Sequence, residues 1–313
     1  MNVAITGASG LLGSHLSNYL TNLGYEVFVL IKDESANSIL SPKVNRIYGN
    51  INFKQDLDYF VQRSIPEYFI HLAAQTQAYD SLKYPYNTFS TNFVGTLNVL
   101  ETLREYDKCR SIVIASSDKA YGELIGNEYL ENHPLNGVYP YDASKAATEV
   151  VTISYKRTYN LPIVITRSCN IYGINDTNQE RLITGILHAY VANKEFIVRN
   201  AGLVIREYIN VSDVVTAYVE IMKFAEKDSS IDAFNISSGD RFSTLEVFEL
   251  VQSAVGKKIR HLIQKESNKE IRKQFMNSDL LKQKTSWIPK AEFKNSIKDI
   301  VSWYLQTYQK MTN

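Results

Sequence analysis

Residues 116–122 read SSDKAYG and bring two hydroxyls, a carboxylate, an ammonium and a phenol to the end of the apolar run SIVIA. Side chains of these kinds hold and move protons. Downstream, the segment YPYDASK spaces Tyr141 and Lys145 four apart at the start of a helical pattern, which puts both on one helix face. A cation beside a phenol favours phenolate, so Tyr141 gains the character of a base that takes a proton from a hydroxyl while hydride leaves the same carbon. Ser117 is placed to hydrogen-bond the same oxygen. The pattern YxxxK occurs three times in the chain. Tyr79/Lys83 falls in a loop-like segment and Tyr190/Lys194 in a late helix, and both read as solvated or packing residues. Context selects Tyr141/Lys145, because that pair opens a helix soon after the hydroxyl-bearing strand end.

These groups need a scaffold, and the opening MNVAITGASGLLGSHLSNYLTNLGYEVFVLIKDES supplies its start as strand, Gly-rich turn, helix and strand. Leu12, Leu16, Leu20 and Leu23 recur at helical spacing until Gly24 stops the helix. Gly7, Gly10 and Gly13 fall at the turn, where missing side chains let backbone N–H groups, including those of Leu11 and Leu12, approach a pyrophosphate at the helix N-terminus. A glycine triplet alone is a weak signal, but between a strand and a helix it marks a dinucleotide site. Lys32 and Asp33 end the second strand with one candidate of each sign. A carboxylate there would hydrogen-bond the ribose hydroxyls of NAD, and a cation would favour the 2′-phosphate of NADP. Asp33 lies within the expected window, so NAD is the expected cofactor, with NADP left open.

The alternation continues through YFIHLAAQ, a helix from Asn92, SIVIA and LPIVITR, short apolar runs typical of strands buried on both faces. The expected fold is α/β, a Rossmann-type doubly wound parallel sheet with a smaller C-terminal α/β substrate lobe. After Leu72, the small residues Ala73 and Ala74 let the backbone pass close to the cofactor. Residues 1–172 read as the dinucleotide-binding domain and 173–313 mainly as the substrate lobe, the chain returning to the first domain around 207–236. In the tail, Ile297, Ile300, Val301 and Tyr304 form an apolar stripe read as core.

A length of 313 residues suits such a two-lobed unit, and 44% hydrophobic with 21% charged residues is ordinary globular composition. A net charge of +1 with interspersed signs argues against a nucleic-acid surface. Cys109 and Cys169 are too few for a zinc site or a disulfide framework, and no metal site is read. No leader or membrane-length apolar run is evident, so a cytoplasmic location is expected.

The set TGASGLLG, HLAAQ, TNFVGTLNVLE, SSDKAYG, YPYDASKAATE, TRSCNIYG and REYINVSDVV resembles the extended short-chain dehydrogenases acting on nucleotide sugars, the NAD-dependent epimerase/dehydratase family, in order over most of the chain. The resemblance implies a homodimer, paired through the helices holding Asn92 and Tyr141, and a nucleotide-diphosphate sugar as substrate. It places Asn50 and Ile51, Tyr141 and Lys145 against the cofactor, and Gln75, Asn170, Arg181 and Arg206 against the substrate. Two departures stand out: GNI, with Asn50, where the family often has GDI, and Thr184 where a Pro is usual.

Within that superfamily the residues after Ser117 discriminate. Epimerases tend to have small or hydroxylic residues there, and 4,6-dehydratases an acid followed by a second proton carrier. Asp118-Lys119 is similar to the CDP-glucose 4,6-dehydratase type. In that reaction C4 is oxidised, the new ketone acidifies the C5 proton, water leaves across C5 and C6, and hydride returns to C6. Asp118 must then donate from a reference pKa of about 4, and Lys119 accept from about 10, or stay charged and stabilise the enolate. Both tasks require a closed, dry pocket. A 4-epimerase, an NADPH-consuming 4-ketoreductase favoured by Lys32, and a non-enzymatic dinucleotide-binding regulator are the alternatives.

Overall fold

The computed structural model describes residues 1–33, 39–124, 126–265 and 271–312. Its strands are β1 (Asn2–Thr6), β2 (Glu26–Ile31), β3 (Asn45–Tyr48), β4 (Tyr68–His71), β5 (Ser111–Ser117), β6 (Ile163–Ser168), β7 (Asn170–Tyr172), β8 (Phe196–Val198), β9 (Ile205–Asn210), β10 (Ala233–Ile236), β11 (Arg241–Ser243), β12 (His261–Ile263) and β13 (Lys273–Gln274). The helices are α1 (Leu11–Asn22), α2 (Lys54–Ser64), α3 (Ala78–Lys83), α4 (Pro85–Phe89), α5 (Gly95–Tyr106), α6 (Pro140–Tyr159), α7 (Leu182–Val191), α8 (Val211–Lys227), α9 (Thr244–Val255), α10 (Asp279–Lys284) and α11 (Phe293–Thr312).

Seven parallel strands form the main sheet in the order β10-β6-β5-β4-β1-β2-β3. Alternate residues of the apolar runs face opposite layers, as a strand's period of two requires. Val3, Ile5, Ile70 and Val113 pack on one face with Leu16 and Leu20 of α1 and Val214, Tyr218 and Ile221 of α8. Ala4, Phe69, Ile112 and Ile114 pack on the other with Leu57 and Phe60 of α2 and Val99, Leu100 and Leu103 of α5. Both faces are therefore covered, which is why the runs are apolar throughout.

After β9 the chain comes back to this sheet: α8 packs on α1, and β10 pairs with β6 at the edge. The smaller lobe carries a sheet built around β9, flanked by β7, β11 and β13, and a separate β8–β12 pair. Its core holds Ile186, Phe248, Val251 and Phe293, together with Ile297, Ile300 and Val301, and Tyr304 packs against it. The apolar stripe of the tail is thus core.

Two stretches differ from the sequence-based expectation. The segment holding Tyr79 and Lys83, expected as loop-like, is the short helix α3, and Pro85 then starts α4 from a first-turn position that proline favours. The helix expected from Asn92 opens as a π-turn, Ser90–Val94, before α5. That turn buries Asn92, whose Oδ1 accepts from the Gln75 amide at 2.7 Å and whose Nδ2 donates to the Gln75 carbonyl at 3.0 Å and to Ser144 at 2.9 Å. One side chain thereby ties the loop after β4 to α6.

Candidate active site

The sheet order reverses beside β1, with β2 on one side and β4 on the other, and ligands of such folds bind outside the strand ends at that point. A cavity of about 1400 Å3 lies there and extends into the smaller lobe. Single small-molecule sites usually measure about 300–1,000 Å3. This one has room for a dinucleotide and a second ligand.

Gly7, Gly10, Leu11, Leu12 and Gly13 line one end. Gly7 has φ +77°, and a Cβ there would sit 2.5 Å from the Ala73 nitrogen, while one on Gly13 would sit 2.2 Å from the Gly7 carbonyl oxygen. These two glycines let the turn fold on itself and against the end of β4. Gly10 caps α1 in extended conformation, and its missing Cβ would have only the Gly7 carbonyl as neighbour, at 3.5 Å. Bare backbone therefore meets the cavity. First-turn N–H groups of a helix lack intrahelical acceptors, and α1 has no acid in that turn to compete for them. The cradle fits a dinucleotide's pyrophosphate.

Asn50, Ile51, Leu72, Ala73 and Ala74 continue this wall. Asn50 is fixed by its loop, its N–H donating to Asp56 at 2.7 Å and its Oδ1 accepting from Asn52 at 3.0 Å. Thr6 and Thr96 hold the His71 ring at 2.7 and 3.0 Å, and burial drives that ring down to about 3, so it is neutral. At the end of β2, Lys32 lines the cavity and Asp33 follows it.

β5 delivers Ser117, and the chain turns at once into a 3-10 turn, Asp118–Tyr121. Ser117 Oγ caps that turn by accepting from the Lys119 amide at 3.2 Å and donates to Asp118 Oδ1 at 2.9 Å. Lys119 Nζ meets both Asp118 oxygens, at 3.0 and 2.9 Å. Asp118 is 2% exposed, Lys119 is half-buried, and both lie on the cavity wall.

Tyr141 and Lys145 project from the first turns of α6 into the same space. Burial brings the Lys145 ammonium down to about 8 against the pull of Glu149, and its Nζ donates to the Ala115 carbonyl at 2.8 Å. Burial pushes the Tyr141 phenol well above its ordinary range, and a hydrogen bond with Ser117 draws it part of the way back. Asp118 and Asp142 push the phenol further up and Arg181 pulls it down, while the Lys145 ammonium is tied to the end of β5.

Beneath this wall lies a buried network that sequence reading missed. Glu149 accepts from Ser116 at 2.5 Å and from Arg167 at 2.7 Å, and Arg167 donates to Tyr121 at 2.6 Å. It fixes β5, β6, α6 and the 3-10 turn to one another. A charge within each of two apolar segments, EVV and ITRS, was the available signal.

On the far side Asn170, Arg181 and Arg206 line the cavity. Asn170 Nδ2 donates to the Glu207 carbonyl at 2.9 Å, and Arg181 pairs with Asp176 at 3.1 Å. Glu207 takes Ser237 at 2.5 Å and the Met276 amide at 3.0 Å, and Asp213 takes the Lys290 and Ala291 amides at 3.0 Å. Gln75 lies between the wall residues Ala74 and Thr76, with Asn92 bound to its backbone on both sides and its Nε2 donating to the Gln77 carbonyl at 3.0 Å. Wall residues not anticipated include Tyr79, whose ring lies 5.8 Å from the Arg199 guanidinium, and Asp142, the residue after Tyr141.

A glycine cradle at the switch point, with Ser, Tyr and Lys converging beyond the strand ends, defines a dinucleotide-dependent enzyme of the extended short-chain dehydrogenase/reductase class. The chain belongs to the NAD dependent epimerase/dehydratase family, whose model matches residues 3–237. It is 28% identical over 305 residues, 96% of this chain and 97% of the other, to a Methanocaldococcus jannaschii protein provisionally named a UDP-glucose 4-epimerase. It is 26% identical to the dTDP-glucose 4,6-dehydratase of Haemophilus influenzae, over 97% and 98% of the two chains. Among solved structures it resembles a Thermotoga maritima UDP-glucose 4-epimerase with UDP-glucose, with a TM-score of 0.90, 25% identity and coverage of 98% and 100%.

Proposed function

We propose that this protein is a nucleotide-sugar 4,6-dehydratase, converting an NDP-hexose to the NDP-4-keto-6-deoxyhexose. The Asp118–Lys119 couple carries this reading: Asp118 is buried, Lys119 is paired to it, and both are held on the cavity wall directly after Ser117 in the chain. An epimerase has one carbon to oxidise and reduce, and leaves such a couple without a task.

In this reading Gly7, Gly10, Leu11, Leu12, Gly13, Asn50, Ile51, Leu72, Ala73, Ala74 and Lys145 hold the dinucleotide, and Asn170, Arg181 and Arg206 meet the substrate's diphosphate. A guanidinium suits that contact because it offers paired donors to phosphate oxygens. Bound NAD supplies the acceptor and donor for hydride at the sugar carbons. Tyr141, as phenolate at this step, takes the C4 hydroxyl proton at its Oη, and Ser117 Oγ holds the same oxygen. The couple then handles the elimination, Asp118 as the acid at the C6 hydroxyl and Lys119 as the charge facing the enolate oxygen. Lys32 on the wall keeps NADP open as the alternative cofactor. Two copies of the chain pair through α5 and α6.

A second reading, a 4-epimerase, is favoured by the Methanocaldococcus and Thermotoga relatives. The two separate when the purified protein is incubated with a panel of nucleotide hexoses without added cofactor and masses are followed. Loss of one water with the nucleotide intact is expected. An isomer of unchanged mass makes it an epimerase, and gain of two hydrogens only with added NADPH makes it a reductase.

A further inference from the structure

We propose that Asp142 is the base that takes the C5 proton of the 4-keto sugar and later returns it, while Lys119 stays an ammonium. This rests on the dehydratase reading and fills a place that reading leaves open.

The couple itself is poorly arranged to accept a proton at C5. Lys119 Nζ lies within 3.0 Å of both Asp118 oxygens, and Ser117 donates to one of them at 2.9 Å. An ammonium chelated by one carboxylate and facing a second has no reason to give up its charge, which suits it to the enolate oxygen. Of the other cavity carboxylates, Asp176 is paired to Arg181 at 3.1 Å, and Glu180 and Glu195 are exposed.

Asp142 is different. It is 4% exposed, lines the cavity, and follows Tyr141 in the first turn of α6, so phenol and carboxylate enter the site from one turn of helix. The groups acting on it are Lys119 and Asp118 on the 3-10 turn, Arg206 on β9, Tyr141 beside it, and the Tyr139 amide. Burial raises its carboxyl to about 6, with Lys119 and Arg206 pulling it down and Asp118 pushing it up. Such a carboxylate is ionised at neutrality yet more basic than an exposed one, as a base requires. A structural role would be confined to capping the Tyr139 amide, which a solvated Asp or Asn also does.

The step balances. The Asp142 carboxylate takes the C5 proton, the C–H electron pair becomes the C5–C6 double bond, and the C6–O bond breaks. The C4 hydroxyl proton taken by Tyr141 passes through the Ser117 hydroxyl to Asp118, which gives it to the C6 oxygen, so that the oxygen leaves as water while Lys119 keeps its charge. Once hydride has returned to C6, Asp142 gives its proton back to C5. The proton Tyr141 took at C4 is thus the one that leaves in the water, and Tyr141, Ser117 and Asp118 end as they began.

The test compares the parent with Asp142→Asn and Asp142→Glu in D2O, following C4 oxidation, water loss and deuterium at C5, with isotope-edited infrared of the carboxyls in the protein alone. We expect Asp142→Asn to oxidise C4 at close to the parental rate but lose water about 100-fold or more slowly, with Asp142→Glu recovering part of the loss. A carboxyl band titrating near pH 6 should be present in the parent and missing from Asp142→Asn. If Asp142→Asn does not fold, Asp142→Ser carries the same comparison. Parental water loss and C5 labelling in the variant would reduce Asp142 to a helix cap and overturn the proposal. A parent that never loses water would instead sink the dehydratase reading, and this proposal with it.

Discussion

At the scale of single residues the account assigns separate steps to neighbouring side chains. Asp118→Asn should keep C4 oxidation and lose elimination by about 100-fold or more, read by mass and by trapped 4-keto sugar. Unchanged dehydration in that variant would remove the acid from the mechanism. Asp142 also carries a stability signature. Its folded carboxyl titrates at about 6, above its ordinary 3.8, so its favourable contribution is complete below 3.8 and is lost as pH rises through 6. Relative to the parent, Asp142→Asn should therefore gain about 2 kcal/mol in urea unfolding between pH 4 and pH 8. A constant difference would mean that burial does not raise the carboxyl. Ser117, Asp118, Lys119, Tyr141 and Lys145 were legible because each lies in a contiguous motif at a strand end or helix start. The surroundings of Gln75 and Lys32 were not legible because a side chain's direction depends on neighbours distant in sequence: Asn92 holds the Gln75 backbone, and Lys32 reaches the wall. Asp142 was passed over for the same reason, since the charges that act on it, from the 3-10 turn and from Arg206 on β9, are distant in sequence.

At the scale of elements, the sheet and its crossovers were readable from short apolar runs and the glycine turn, which are local signals. The π-turn at Ser90–Val94 was not, because it exists to bury one Asn against a distant loop. Gly7 joins β1 to the end of β4, where both positive φ and backbone contact forbid a side chain. Gly7→Ala should lose copurifying dinucleotide and about 1–3 kcal/mol of stability, measured by absorbance and urea unfolding. Retained dinucleotide at full stability would contradict the close approach. His71 joins the same strands to α5 as a neutral ring. Its folded value of about 3 lies below its ordinary 6.5, so its contribution is complete above 6.5 and lost as pH falls towards 3. Stability should drop by about 2 kcal/mol from pH 6.5 to pH 5, and His71→Gln should flatten that slope. A parent equally stable at both pH values would show that the ring accepts a proton without penalty.

At the scale of the whole molecule, Val150 on α6 is 66% exposed and Tyr86 on α4 is 82% exposed, apolar surface on adjoining elements that pairing of two copies would cover. We expect twice the chain mass in light scattering and a shift to monomer for Val150→Lys. A parent of single mass would contradict the pairing. The central claim, that the fold brings two carbons of one hexose under a single cofactor with an acid–cation couple between them, is tested most directly with substrate deuterated at C4. The label should be found on C6 of a product lighter by one water. Label remaining at C4 of an isomer of unchanged composition would contradict the account.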